Sequence, residues 1–395
     1  MRRVIVRCGE GRHRVRLATG SRFWHTAHCP NCRGRVDPYR VRRIGAWLGN
    51  LGRPASDRIP HRILWWSVLG FIGLILAALA LLWGLGDRWW LATALLFGPR
   101  WVLALPLAVL VPATLLMDRA LLLPLGIATV LLAGPIIEFR TGWRALTVSP
   151  DPSTDIRVVT YNIEGGRSLS ATAVGMAQRW EADILLFQEC GGVIREEVEI
   201  LASDSLWYGD ARASLCILSR FPITAIDEME RSALRAAGGS GLVVTYELEL
   251  GGRTVHVTNV HLETPRDGFE LLRSGQLVSS IPIIQEKSYM RRIELSQARR
   301  WVDRHPDTPR IVAGDFNTPP ESRAYRDSWS DWTNAFSRVG RGYGGTRLNG
   351  WIRPRIDHVL VDSRWEVVDA GVGDDLGSDH LPVVATLRSR QRAGS

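Results

Sequence analysis

"RIVAGDFNTPP", residues 310–320, is the stretch on which the fold reading turns. Its first half, Ile311, Val312 and Ala313, is a short apolar run of the length and make-up of a buried strand. At Asp315 the run gives way to a carboxylate, an amide at Asn317 and the pair Pro319-Pro320, which cannot continue a strand. A single strand ending in a polar turn is ordinary punctuation. The pattern gains meaning because it recurs.

"DIRVVTYNIEGG" (155–166), "DILLFQEC" (183–190), "LCILSRFPI" (215–223), "GLVVTYELEL" (241–250), "RTVHVTNVHLE" (253–263), "RIDHVLVD" (355–362) and the second half of "GSDHLPVVATL" (377–387) also read as strands. "ATAVGMAQRWEA" (171–182) and "YMRRIELSQARRWVDRH" (289–305) have helical spacing. Strands separated by helices and loops predict one α/β domain over 155–390. Polar groups gather at the strand ends: Asn162, Glu189, Asn259 with His261, Asp315 with Asn317, Asp357, and Asp379 with His380. Loops at strand ends converge on one crevice in sheets of this class. Each residue alone reads as a turn; together they form a site inventory.

That inventory suits phosphoryl chemistry. Glu189 offers hard oxygen to Mg²⁺, which polarises a phosphate oxygen. Asp315 has the chemistry of a base for water, and Asn162 and Asn317 orient such groups. A carboxylate beside an imidazole fixes its tautomer and raises its pKa, which pairs Asp357 with His380.

In chain order, "TYNIEGG", "LLFQE", "NVHLE", "GDFN", "RIDHVLV" and "GSDHLPVV" resemble the endonuclease/exonuclease/phosphatase (DNase-I-like) superfamily over about residues 153–390. The resemblance implies a four-layer β-sandwich flanked by helices and Mg²⁺-dependent hydrolysis of a phosphoester, with Mn²⁺ the alternative ion. Carried over by position, it implies Asn162, Glu189 and Asp379 as metal ligands. It implies Asp315 as the water-activating residue with Asn317 beside it, His380 as the phosphate contact oriented by Asp357, and His261 as an aid to the leaving group.

The N-terminal 150 residues are of a different material. Residues 1–62 hold fifteen arginines against Glu10, Asp37 and Asp57, so the surplus of positive charge in the chain's +9 belongs to this segment. The catalytic domain is therefore not strongly basic, which weighs against a nuclease. Residues 63–138 are apolar enough for about three transmembrane helices, at 63–85, 96–117 and 120–137, with two crossings as the alternative. The arginine excess before the first span predicts a cytoplasmic N-terminus. Three crossings then carry the catalytic domain, after a linker at 139–154, to the extracytoplasmic side of the cell membrane. "HCPNCRGR" carries Cys29 and Cys32, with Cys8 upstream, and resembles a degenerate zinc ribbon in which these three would bind Zn²⁺. Cys190 and Cys216 read as packed small hydrophobes.

The expected partners are the lipid bilayer and a phosphoester substrate, either a phospholipid head group or nucleic acid; no protein partner is inferable. Apolar residues of 268–286 suggest a rim touching lipid or a loop packed on its own domain, and Arg341, Arg347, Arg353 and Arg355 suggest a phosphate contact or a solvated loop. The alternative to an enzyme is a membrane receptor or scaffold that binds a ligand through the same fold.

Overall fold

The computed structural model describes residues 3–7, 14–18, 59–166, 168–201, 206–348, 350 and 352–390. Cys8, Cys29 and Cys32 lie outside the described residues. The chain divides into two compact units, Met1–Leu74 with Leu105–Thr129 and Ile75–Ala104 with Val130–Ser395. The first unit contains an antiparallel hairpin of strands Arg3–Arg7 and Arg14–Ala18 and the apolar helix Leu107–Met117.

Three helical segments are long and apolar enough to cross a membrane: Ile59–Arg88, Arg100–Met117 and Arg119–Ile136. Ile63, Val109, Leu116 and Val130 stand exposed along them, a surface that water would not tolerate at this extent. The second segment begins at Arg100, not at 96. Residues Trp90–Phe97 form a helix of their own, and Pro99, which has no N–H to donate, separates the two.

In the second unit two six-stranded sheets pack face to face. The strands are β1 (Asp155–Asn162), β2 (Ile184–Gln188), β3 (Tyr208–Arg212), β4 (Leu215–Ser219), β5 (Ile223–Glu228), β6 (Leu242–Glu249), β7 (Thr254–His261), β8 (Arg310–Asp315), β9 (Thr333–Asn334), β10 (Asp357–Val361), β11 (Trp365–Val372) and β12 (Val383–Ser389). One sheet runs β11-β12-β1-β2-β4-β3 and the other β9-β10-β8-β7-β6-β5. Each has one parallel pair, β1 with β2 and β7 with β8, among antiparallel neighbours. The stretch expected as one strand at 215–223 is two, because Pro222 has no ladder donor to offer.

Period-2 alternation sorts the side chains. Val158, Ile184, Leu186, Val257, Ile311 and Ala313 face inward between the sheets, while Val159, Tyr161, Leu185 and Phe187 face outward under the helices Ala173–Arg179 and Gly192–Leu201. Val260, Val312 and Phe316 cover the outer face of the second sheet with the helices Leu277–Val302 and Arg323–Trp329. The result is the four-layer, DNase-I-like sandwich with flanking helices.

Two further expectations change. Residues 268–286 are no loop: they fall in the helix Arg266–Arg273 and the start of Leu277–Val302, with Ile284 buried and Val278 exposed. Cys190 and Cys216 are buried as expected, but they are bonded to each other as a disulfide. They sit where β2 ends and within β4, its antiparallel neighbour, and such adjacency supplies the short Cα separation a disulfide needs, 5.9 Å here.

Candidate active site

The parallel pairs put their carboxyl ends at one edge of the sandwich. In the first sheet Asn162 lies opposite Gln188, and Glu189 follows in a left-handed backbone conformation, φ 49°. In the second sheet His261 pairs with Asp315, and β10 sets Asp357 opposite Asp315 from the other side. Asn317, φ 47°, turns the chain directly afterwards; asparagine is among the few residues that tolerate this region. Gly314 is required by space, since a Cβ there would lie 1.9 Å from the Val260 carbonyl oxygen.

The side chains then meet across the two sheets. Asn162 Nδ2 donates to Glu189 Oε1 at 3.0 Å and to Asp315 Oδ2 at 3.1 Å. Asn317 donates its backbone N–H to Asp315 Oδ1 (2.8 Å) and its Nδ2 to Oδ2 (3.1 Å). His261 Nε2 stands 3.7 Å from both Glu189 Oε1 and Asp315 Oδ2. His380 Nδ1 lies 2.9 and 3.1 Å from the Asp357 oxygens, with Nε2 3.8 Å from Asp315 Oδ2. Seven of the eight expected residues thus form one connected set. Asp379 is turned outward to Arg347, whose Nη2 is 2.5 Å from its Oδ2, and touches the set only through His380 Nε2 at 3.9 Å.

Burial makes these charges matter. Asp315 is pushed above the usual carboxylate range by burial and by the Asp357 charge, against the pull of His380 and His261. Burial disfavours a charged His380, but Asp357 and Asp315 outweigh it and raise the ring to about 9. Arg347 Nη1 stands 2.7 Å from His380 Nε2. A guanidinium donates only, so this contact and a proton on Nε2 exclude each other, and Arg347 opposes the rise that the two carboxylates cause. Once an anion draws Arg347 off, Nε2 is free to hold a proton.

Asp315, Asp357 and His380 present ligand atoms within 4.8 Å of one another, yet His380 Nδ1 and Asp357 are spent on each other. The better fit for a hard cation is Glu189, whose side chain is 41 % exposed, beside the buried Asp315 carboxylate. Asn162 is not turned to such an ion: its Oδ1 accepts the Glu164 N–H at 3.1 Å, and its amide nitrogen holds the two carboxylates together.

Some working residues escaped sequence reasoning. Asn259 ends no crevice; its Nδ2 donates to the carbonyls of Phe187 and Cys216, and its Oδ1 accepts from Gln188 Nε2 at 2.7 Å, which bridges the two sheets inside the core. Ser378 Oγ donates to the Asn162 carbonyl at 2.7 Å and accepts the His380 N–H, pinning the last turn to β1. His358 donates Nε2–H to the Thr318 carbonyl (2.8 Å) and is held neutral by burial, its pKa lowered to about 4. Of the four arginines of the 341–355 loop, Arg355 is buried against Glu138, and Arg347 is the one in the site. Arg347 was foreshadowed by the clustering of arginine near Asp357, and Asn259 was named with the strand-end residues but serves the core instead.

A model of the Endonuclease/Exonuclease/phosphatase family matches residues 159–380. No curated protein matches the chain. Among solved structures, a humanized D. rerio TDP2 is 15 % identical, covering 60 % of this chain and 99 % of its own, with a TM-score of 0.46. An endonuclease/exonuclease/phosphatase from Beutenbergia cavernae is 20 % identical, covering 60 % and 72 %, at 0.42. The Bacteroides thetaiotaomicron mannosyl-6-phosphatase Bt3783 is 16 % identical, covering 59 % and 99 %, at 0.41.

Proposed function

We propose that this chain, which belongs to the endonuclease/exonuclease/phosphatase family of divalent-metal-dependent phosphoesterases, is a membrane-anchored phosphodiesterase that uses Mg²⁺, with Mn²⁺ as the alternative. The observation that carries the reading is the hydrogen-bonded junction Glu189–Asn162–Asp315, which joins the ends of both sheets next to the Asp357–His380 pair. Glu189 beside Asp315 would hold the cation, with Asp379 as a further ligand after Arg347 releases it, and the ion would supply Lewis-acid polarisation of the phosphate.

The chain's own groups do the rest. Asp315, both oxygens aligned by Asn317, takes the proton of the attacking water. His380, its Nδ1–H held by Asp357 and its ring raised to about 9, carries a second proton on Nε2 once Arg347 has left and donates it to a phosphate oxygen as negative charge builds. Arg347 moves from His380 to the non-bridging oxygens, where its paired N–H groups match phosphate geometry. His261, near both carboxylates, assists the leaving group.

Three crossings and an arginine-rich N-terminus support a cytoplasmic N-terminus and an extracytoplasmic catalytic domain at the cell membrane. The Cys190–Cys216 disulfide supports the same side, because such bonds persist in oxidising compartments. Tethering at a bilayer favours a phospholipid head group over nucleic acid as substrate. Zinc at Cys8, Cys29 and Cys32 is proposed on ligand spacing alone.

The test uses the full chain in detergent, with bis(p-nitrophenyl) phosphate and then sphingomyelin, phosphatidylinositol, DNA and RNA, with and without EDTA. Hydrolysis that requires Mg²⁺ and disappears in Asp315→Asn and His380→Ala is expected; undiminished turnover in both variants sinks these roles. A reporter fused to the C-terminus that is active only in the cytoplasm refutes the sidedness.

A further inference from the structure

The loop that carries Asp315 and Asn317 ends at Glu321 and Ser322, where the helix Arg323–Trp329 begins. Its far end is held by residues that no phosphoesterase chemistry calls for, at the end of the first apolar segment, Ile59–Arg88, and at the start of the second, Arg100–Met117. Asp87, 2 % exposed, accepts at Oδ2 from Ser322 Oγ (2.5 Å) and from the Ala324 N–H (3.0 Å). Its Oδ1 lies 3.3 Å from Nη2 of the wholly buried Arg291, and its carbonyl accepts from Arg292 Nη1 at 2.9 Å. Arg323 Nη1 donates to the Gly84 carbonyl at 2.7 Å. The approach is close enough that a Cβ on Gly86, φ 49°, would lie 2.6 Å from the Arg323 Cβ.

A second tie lies beside the first. Arg100, 3 % exposed, places Nη1 2.8 Å from Glu321 Oε1 and 2.6 Å from the Ile136 carbonyl, and its Nη2 donates to the Tyr343 hydroxyl at 2.9 Å. Glu321 is 5 % exposed, and Arg100 is its ion-pair partner among the described residues. A buried carboxylate without its cation is strongly disfavoured. Two charges at the ends of apolar helices are costly where they stand unless they are paired; here Arg100 is paired with Glu321 of the catalytic loop, and Asp87, paired with Arg291, takes hydrogen bonds from the end of the same loop.

We infer that Asp87 and Arg100 are positioning residues for catalysis: they fix the far end of the Asp315–Ser322 loop, so that the site is complete only when the segment from Gly84 to Arg100 is in place. The inference rests on the phosphoesterase reading for its activity readout, but not for its geometry. Asp315 is the last residue of β8, and Asn317, which aligns it, hangs between that strand end and this anchored end, with Thr318 tied by His358 between them. Releasing the anchor lets Asn317 drift from the Asp315 oxygens that it aligns, so the carboxylate of Asp315 loses its orientation towards the water, while substrate contacts from Arg347 and His380, on other segments, are kept.

The test is made on the full chain in detergent or nanodiscs, comparing Asp87→Ala with Asp87→Asn. Both substitutions remove the charge that faces Arg291, so they differ in the ties to the loop: asparagine retains an acceptor for the Ala324 N–H and a partner for Ser322, and alanine retains neither. Expected are a kcat per monodisperse molecule at least tenfold lower in Asp87→Ala with KM within about twofold, and recovery to within about threefold of wild type in Asp87→Asn. Wild-type kcat in Asp87→Ala overturns the inference, and so does a loss that Asp87→Asn fails to recover. Arg323→Ala removes only a partly exposed tie, so it remains testable if Asp87→Ala does not fold, and it should lower kcat a few-fold; in that event an unchanged kcat overturns the inference. Hydrogen exchange separates the two readings. If wild type hydrolyses no ester, the phosphoesterase reading fails, while faster exchange of amides 316–324 in Asp87→Ala, with β7 and β8 unchanged, still upholds the anchor. Unchanged exchange there overturns it.

Discussion

Replacing Asp357 with asparagine separates a charge effect from an orientation effect, because it keeps the volume and removes the charge. Asp357 holds His380 Nδ1 at 2.9 and 3.1 Å, and its charge is the leading influence that lifts the ring to about 9 against burial. For a raised base the charged form is present below its pKa and is lost as pH rises through it. At pH 8 a ring at about 9 is roughly nine-tenths protonated, and one returned to the ordinary 6.5 only about one part in thirty. Protonation alone therefore costs about thirtyfold at pH 8 and very little at pH 6. Loss of the charge-assisted bond, about 1.5–3 kcal/mol, adds roughly ten- to a hundredfold at every pH.

Asp357 also raises Asp315. As a base, Asp315 must be ionised, so activity falls as pH drops through its elevated pKa, and removing Asp357 moves that limb to lower pH. The whole pH profile of kcat/KM for bis(p-nitrophenyl) phosphate should shift towards acid, both limbs together, in Asp357→Asn. An equal loss at pH 6 and pH 8 with unmoved limbs would falsify the electrostatic account and leave Asp357 a packing residue.

Arg347→Ala should raise KM for the ester about ten- to a hundredfold while changing kcat less, as expected for loss of a charge-assisted phosphate contact; a normal KM at saturating Mg²⁺ refutes that role. Replacing Cys190 and Cys216 together with alanine opens a link 26 residues long in sequence and should lower stability by about 3.5 kcal/mol on the loop-closure model. Denaturant unfolding of the full chain checks this, and an unchanged midpoint under non-reducing conditions shows the bond absent in solution.

Local chemistry was legible where it is written in consecutive residues. "GDFN" and "GSDH" follow apolar strand runs, and a strand buried on both faces must end in a turn, so the polar residues had to stand at its carboxyl end. The arginine surplus and apolar segments were equally plain, because net charge and bilayer length are sums over neighbours. Asn259 misled for the same reason: its polar side chain on an alternating strand looks like its neighbour His261, and only the packing of two sheets shows that it faces inward to Phe187 and Cys216.

What tertiary structure decided is which distant groups share a space. Cys190 meets Cys216 because β4 pairs with β2. Arg347 reaches the site, and Arg355 does not, because Arg355 is drawn inward to Glu138. Asp87 and Arg100 look in sequence like interruptions of apolar helices, and only the fold turns them onto Ser322 and Glu321, more than two hundred residues away. By itself, the amino-acid order determined the strand periods, the membrane-length runs and the residue types of the site, because those depend on near neighbours. The pairing of buried charges depends on distance through space, which a chain acquires only by folding.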